Sequence, residues 1–349
     1  MTEFIHRTAK GRMKINMKKL TGYCISALVA VFLMVPSANA QTNLKKIGQT
    51  GLQFLKVDMH ARAAGMGGAS IMTMSGADAL FYNPAGAAEM ESGLDFFASQ
   101  VSWIADISYL ATGVTKTMGN LGTFGVSLIT ANYGDILGTR VDAGSESGYV
   151  ETGNLGVNAS AVGLTWARAL TDKFRFGGTV KYASQQLGES LMPETNKTKT
   201  NQVGGFAYDF GTMFYPGYKS LKLGMSFTNF SEQFKYEEEA FELPLTFKLG
   251  VAMNVFDLIG GPSNSSLMFE LNAIHPRDFT ERLHFGGEFL YANMLAIRGG
   301  YKTNYDEENL SMGFGIKYKV GGIGLRVDYS YSAMDAFDGI SRFTIAGSF

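Results

Sequence analysis

Side chains able to do covalent or metal chemistry are scarce in this sequence, which has four histidines and one cysteine in 349 residues. His60, His275 and His284 lie far apart, and no serine or carboxylate stands at a recognisable spacing from any of them. A nucleophile and its base need such a partner, and a metal site needs several ligands together. The pattern therefore points to a non-enzymatic protein without a cofactor. Gly65-Met66-Gly67-Gly68 could suggest a phosphate cradle, but no lysine follows in the required place and no strand-helix-strand context surrounds it. The run Glu237-Glu238-Glu239 reads as a solvated loop.

What remains is an unusual set of charges: Arg175, Lys181, Asp209, Lys222, Lys248, Glu270, Arg282, Glu288, Arg298, Lys302, Lys317, Arg326, Asp328 and Arg342. Each sits in a segment where bulky apolar residues alternate with small or polar ones. In the clearest, Leu243, Leu245, Phe247, Leu249, Val251 and Met253 alternate with Thr246, Lys248, Gly250, Ala252 and Asn254. That period of two defines a strand with one apolar face and one wet face. Hydrophobic residues make up 46% of the chain and the formal charge is only -1, which excludes a disordered chain and a basic nucleic-acid binder.

The N-terminus differs. Arg7, Lys10, Arg12, Lys14, Lys18 and Lys19 precede an apolar stretch from Cys24 to Val35, and Ala38-Asn39-Ala40 follows. These are the parts of a secretory signal peptide over residues 1–40, cut after Ala40. Its removal takes away Cys24, so the exported chain has no disulfide available.

Alternation predicts strands near 93–101, 104–116, 121–132, 157–169, 174–186, 203–215, 220–230, 243–255, 266–274, 282–292, 294–303, 310–320, 322–332 and 341–349. Their length near ten residues suits a tilted strand that crosses a bilayer. If the first begins in the periplasm, short turns should follow even-numbered strands and long outer loops odd-numbered ones. Leu170–Lys173 and Gly321–Gly322 fit the first class; Tyr133–Gly156, Leu187–Gln202 and Ser231–Glu242 fit the second. Hydrocarbon leaves no backbone group unpaired, so such a sheet must close. The fold class is thus all-β: a 14-stranded antiparallel transmembrane barrel over residues 93–349, in contact with outer-membrane lipid. Trp103, Trp166, Tyr215, Tyr291, Tyr318 and Tyr331 are expected in its interfacial girdles. Phe349 closes the chain on an aromatic carboxyl terminus, which resembles a barrel-assembly signal.

Residues 41–92 break the period. They are too many for a tail and too few for a stable domain, and should fold into the lumen as a plug. Within them, Gly51-Leu52-Gln53-Phe54-Leu55-Lys56, Ala61-Arg62-Ala63-Ala64-Gly65-Met66-Gly67-Gly68-Ala69 and Asp78-Ala79-Leu80-Phe81-Tyr82-Asn83-Pro84-Ala85-Gly86 resemble the N-terminal signature of the PorV/PorQ family, a branch of the FadL-like outer-membrane barrels. The resemblance singles out Arg62, Gly65, Gly67, Gly68, Asn83, Pro84, Ala85 and Gly86 as plug residues. It implies a 14-stranded barrel with an N-terminal hatch, placed in the cell outer membrane. It also implies a docking or shuttle role in type IX protein secretion, with translocon and surface-attachment proteins as partners. The alternative is a FadL-like channel for passive uptake of hydrophobic small molecules. A docking barrel needs apolar outer-loop tips, for which Ile136, Leu137, Leu191, Met192, Met334 and Phe337 are candidates. A channel needs an apolar pocket between plug and wall.

Overall fold

The computed structural model describes residues 49–90, 93–192 and 197–349. The predicted signal peptide and its cleavage site lie outside the described residues. The alternating segments form fourteen strands: β1 (Leu94–Ser102), β2 (Ser108–Thr117), β3 (Thr123–Asn132), β4 (Asn158–Thr171), β5 (Phe174–Leu191), β6 (Thr198–Phe214), β7 (Lys222–Ser231), β8 (Thr246–Asn254), β9 (Ser266–Pro276), β10 (Arg282–Tyr291), β11 (Leu295–Lys302), β12 (Leu310–Val320), β13 (Ile323–Ser332) and β14 (Ile340–Ser348). Each pairs antiparallel with its sequence neighbours, and β1 pairs with β14, so the sheet closes into a barrel. Closure leaves the sheet without an edge. It continues past the last strand, where the Phe349 N–H donates to the Leu94 carbonyl (2.8 Å) and the Phe349 carbonyl accepts from the Gly93 N–H (2.8 Å).

Period two sorts the faces. On β12 and β13, Met312, Phe314, Ile316, Leu325, Val327 and Tyr329 point outward and are exposed, whereas Ser311, Asp328, Ser330 and Ser332 point inward and are buried. A continuous apolar exterior over a polar interior is what a bilayer demands. No helix among the described residues is long and apolar enough to cross a membrane. The crossing is made by strands.

Connections sort by end as well. Tight links such as Asp172–Lys173 and Gly321–Gly322 gather at one end of the barrel, the turn end; the long stretches at 133–157 and 232–245 gather at the other, the loop end. The loops are more ordered than the sequence suggests. Leu137–Val141 pairs with Tyr149–Asn154 in a hairpin, and Phe234–Lys235 pairs with Ala240–Phe241 in another. Strands β5 and β6 run on through a bulge between Gln186 and Glu189, so Leu191 belongs to a strand and not to the predicted loop 187–202. His275 likewise lies in β9, paired with Phe247, rather than in a loop.

The lumen is filled by residues 49–90, which run from the loop end to the turn end. A short helix α1 (Ala61–Gly65) is capped by His60, whose Nδ1 accepts from the Arg62 N–H (3.1 Å). Six-residue 3₁₀ segments follow at Gly76–Phe81 and Pro84–Glu89. Glycines let this segment lie directly on the wall. The Cα of Gly65 faces Gly313 of β12, and Gly67 faces Gly300 of β11, so closely that a side-chain carbon on Gly300 would overlap the plug backbone. Next to it, Gly299 points outward with nothing within 4 Å of where its Cβ would lie.

That pair supplies an internal control. Gly300→Val should unseat the plug and destabilise the folded barrel by about 1–3 kcal/mol or more through overpacking, whereas Gly299→Val should be neutral. Thermal unfolding followed by heat-modifiable gel mobility compares the two; equal behaviour would count against the close contact.

Candidate functional site

Two features occupy the lumen, a charged layer at mid-height and a cavity towards the loop end. The layer begins with Arg62 on α1, whose Nε and Nη2 each donate to Glu288 of β10 at 2.8 Å. Its Nη1 donates to the Thr73 carbonyl (3.0 Å). Glu288 also accepts from Arg298 of β11 (2.6 Å), and Arg298 Nη1 lies 2.8 Å from Asp328 of β13. Asp328 accepts from Arg326 Nε (2.6 Å), and Arg326 returns to the plug by donating to Asp78. Asp78 Oδ1 lies 3.0 Å from His60 Nε2, and His60 is fully buried. Plug and wall thus share one chain of alternating charges. A buried charge without a partner costs several kcal/mol, so each member holds the next in place.

Asn83 ties the other side. Its Oδ1 accepts from the Ala85 N–H (3.1 Å), and its Nδ2 donates to the Ile71 carbonyl of the plug (3.1 Å) and the Thr212 carbonyl of β6 (3.2 Å). Pro84 begins the helical turn, where its lack of an N–H costs nothing. Gly211 and Gly177 leave the wall open for Asn83 and Pro84. Gly68, at φ +71°, sits between Asp58 and His284, and Gly86 lies against the Met74 carbonyl. At the turn end, Lys222 donates to Glu89 (3.0 Å).

The cavity lies between residues 53–59 and the wall, with a volume of about 510 Å³. Phe54, Leu55, Phe81, Trp103, Tyr109, Ile129, Ala161 and Met334 give it an apolar side. Asp58, Lys181, Asp209, Lys248, Arg282 and Lys302 give it a polar one. Lys302 Nζ contacts Asp58 (3.1 Å) and Glu308 (3.0 Å), while Lys181 Nζ donates to Asp209 (2.8 Å). Beside it β7 bulges, since Thr228 and Asn229 together oppose Asp209; Asn229 has φ +66° and its N–H donates to Asp209 Oδ1 (2.7 Å). The roof is a strap. Thr50 bridges Glu242, while Thr50 Oγ1 (2.8 Å) and Lys56 Nζ (2.9 Å) both donate to Asp278 in the connection before β10.

Several expected positions move. Trp103 is not a girdle residue: it lines the cavity, edge-on to Tyr109 with ring centres 6.0 Å apart. Tyr215 is also internal, stacked under the Arg175 guanidinium at 4.2 Å and bonded to Glu89. Trp166, Tyr291, Tyr318 and Tyr331 do lie on the exposed outer face. Of the loop-tip candidates, Ile136, Leu137, Met192 and Phe337 are exposed, but Met334 is half-buried and faces the cavity. Phe349 stacks on Phe96 outside the barrel, with ring centres 5.9 Å apart. The sequence reading missed Asp58 and the roles of Asp78 and Glu89. Their signal was the surplus of cations over acids on the inward strand positions, which calls for carboxylates from elsewhere.

Burial alone would raise the Asp78 carboxyl, but Arg326 and then His60 overcome it and hold the group well below the usual carboxylate range. Asp58 behaves likewise, with Lys302 and then Lys248 as the opposing charges. A depressed carboxyl contributes stability that is full above its unfolded value, near ~4, and lost only as pH falls through the lower folded value. Conductance in planar bilayers should therefore stay low and flat from pH 8 to about 4 and rise only in stronger acid. Asp78→Asn, which cuts Arg326's tie to the plug but leaves its bond to Asp328, should raise conductance already at pH 7; unchanged conductance in that variant would show that this pair does not hold the plug.

No protein-family model and no curated protein matches the chain. Solved structures do. The CymD monoaromatic hydrocarbon channel has a TM-score of 0.54 at 12% identity, over 84% of this chain and 98% of its own. The Pseudomonas putida toluene transporter TodX has a TM-score of 0.53 at 13% identity, over 83% and 97%. A Pseudomonas aeruginosa FadL homologue has a TM-score of 0.51 at 10% identity, over 83% and 98%. The likeness spans nearly the full length of each of these structures, and the fold of this chain is that of the FadL-like 14-stranded outer-membrane barrels.

Proposed function

We propose that the protein is a non-enzymatic outer-membrane channel that admits hydrophobic small molecules, with residues 49–90 as its internal plug. One observation carries the reading: a cavity of about 510 Å³ between plug and wall, with an aromatic and aliphatic side and an end that approaches the long loops. Pockets of this size and lining bury most of a small apolar guest. By the usual sidedness of such barrels the loop end faces outward, so the cavity is placed to receive a guest from outside. CymD, a monoaromatic hydrocarbon channel, and TodX, a toluene transporter, share the fold, which supports that use.

The docking role in type IX secretion, suggested by the resemblance of the plug motif, rests on exposed Ile136, Leu137 and Phe337 at the loop end. Those side chains are scattered over separate loops, and isolated exposed apolar residues are ordinary on protein surfaces. The cavity favours the channel. A pull-down from outer membranes that returned secretion-translocon components would reverse this order.

Ala161 offers a direct test, because it is buried, inward-facing on β4 and part of the cavity lining. Ala161→Trp should fill the cavity and reduce uptake of a radiolabelled monoaromatic hydrocarbon by cells to the level of cells without the protein. Heat-modifiable mobility checks that the barrel has assembled. Undiminished uptake through an assembled Ala161→Trp barrel would overturn the channel reading.

A further inference from the structure

At the loop end of the cavity, Arg282 is only 8% exposed, and its Nε is buried without a hydrogen-bond partner. Its guanidinium carbon lies 3.8 Å from the ring centre of Tyr305 and 4.2 Å from that of Phe279. Two aromatic rings take up the faces of the group, which leaves its N–H edge as the part able to form directed bonds. Among the described residues, no acidic side chain comes within ion-pair distance of it. Two acids at this end are committed elsewhere: Asp278 accepts from Thr50 and Lys56, and Glu308 contacts Lys302. Lys248, two strands away in the same layer of the wall, faces the same cavity and also lacks an ion-pair partner among the described residues.

A buried guanidinium with an idle edge is a poor arrangement for a purely hydrocarbon guest and a good one for a carboxylate, which accepts two parallel N–H bonds from that edge. The apolar side is formed by Phe54 and Phe81 of the plug together with Trp103 and Tyr109 of the barrel. Such a surface suits a flat ring, which meets it edge-on or offset-stacked. We propose that the guest recognised here is an aromatic acid, its carboxylate held by Arg282 and its ring lying against Trp103 and Phe54. This rests on the channel reading above and narrows its substrate class. Lys248 sets the sign of the field along the polar side and is not required to touch the guest.

Trp103 provides the readout, since it lines the cavity while Trp166 lies on the exposed outer face. The purified chain in neutral detergent would be titrated with 4-phenylbutyrate, its methyl ester and octanoate, following tryptophan emission, with Trp103→Phe as the control that removes the signal. The acid should bind about 10- to 100-fold more tightly than the ester, the range expected for a charge-assisted pair. It should also bind more tightly than octanoate. Arg282→Gln should abolish the preference, so that the acid binds no more tightly than the ester. Equal binding of acid and ester, or a preference that survives Arg282→Gln, would overturn the Arg282 assignment and leave the hydrophobic channel intact. Octanoate as tight as phenylbutyrate would overturn the aromatic class. Failure of all three to bind would overturn the channel reading along with it.

Discussion

A backbone in hydrocarbon has no water to bond, and most of this molecule follows from that constraint. Every strand N–H and carbonyl must find a neighbour, so the sheet rolls until β1 meets β14 and even Phe349 enters the ladder. Closure fixes a second property. Once the exterior is given to apolar side chains, period two sends most of the charged strand side chains into the lumen, where water alone would leave a wide, leaky bore. The wall that results carries more cations than acids, including Lys181, Arg298, Lys302, Arg326 and Arg342, all with inward-directed charges. A plug bearing Asp58, Asp78 and Glu89 answers that surplus. Charge complementarity and the need to fill the bore are met by the same forty-odd residues.

The fold was legible because alternation is a direct imprint of a two-sided environment. Strand ends agreed within a few residues for β4, β7, β12 and β13, where the outer face is a run of large side chains. Legibility failed where a residue could belong to two environments. Trp103 and Tyr215 stand near strand ends, as girdle aromatics do, yet both turn inward onto Arg342 or Arg175. An aromatic ring covers a guanidinium as well as it covers a lipid headgroup, and spacing does not separate the two uses. Met334 was misread for a related reason: a methionine in a loop says nothing about whether the loop folds back over the bore. The extension of β5 and β6 past Gly188 depends on a bulge with a left-handed glycine. That is a three-dimensional event with only a single glycine as its trace.

The glycines of the plug were conspicuous in the sequence, but their partners were not. Gly65, Gly67 and Gly68 form a visible cluster, while Gly177, Gly211, Gly300 and Gly313 are dispersed over four strands. Only the register of the closed barrel brings the second set opposite the plug. Cα-to-Cα approach of this kind admits no side chain on either partner. The same rule explains why inward glycines on β10 to β12 gather where α1 runs and thin out around the cavity, which is lined instead by Ile129, Ala161 and Thr179.

The layering of the lumen also constrains the route of any guest. Between the cavity and the turn end lie α1, the chain of charges from Arg62 to Asp78, and the tightly seated Asn83-Pro84 turn. A neutral apolar molecule moving straight down would have to separate buried ion pairs, at a cost of about 3–5 kcal/mol for each partner stranded. The loop-end strap is held differently. Lys56 and Asp278 meet at the rim, and the Thr50 bridge to Glu242 is a single isolated backbone contact. Opening the roof therefore disturbs far fewer buried charges than displacing the plug. On the channel reading proposed above, the cheaper motion lies at the loop end, and the chain of charges from Arg62 to Asp78 sets how far inward a guest could go.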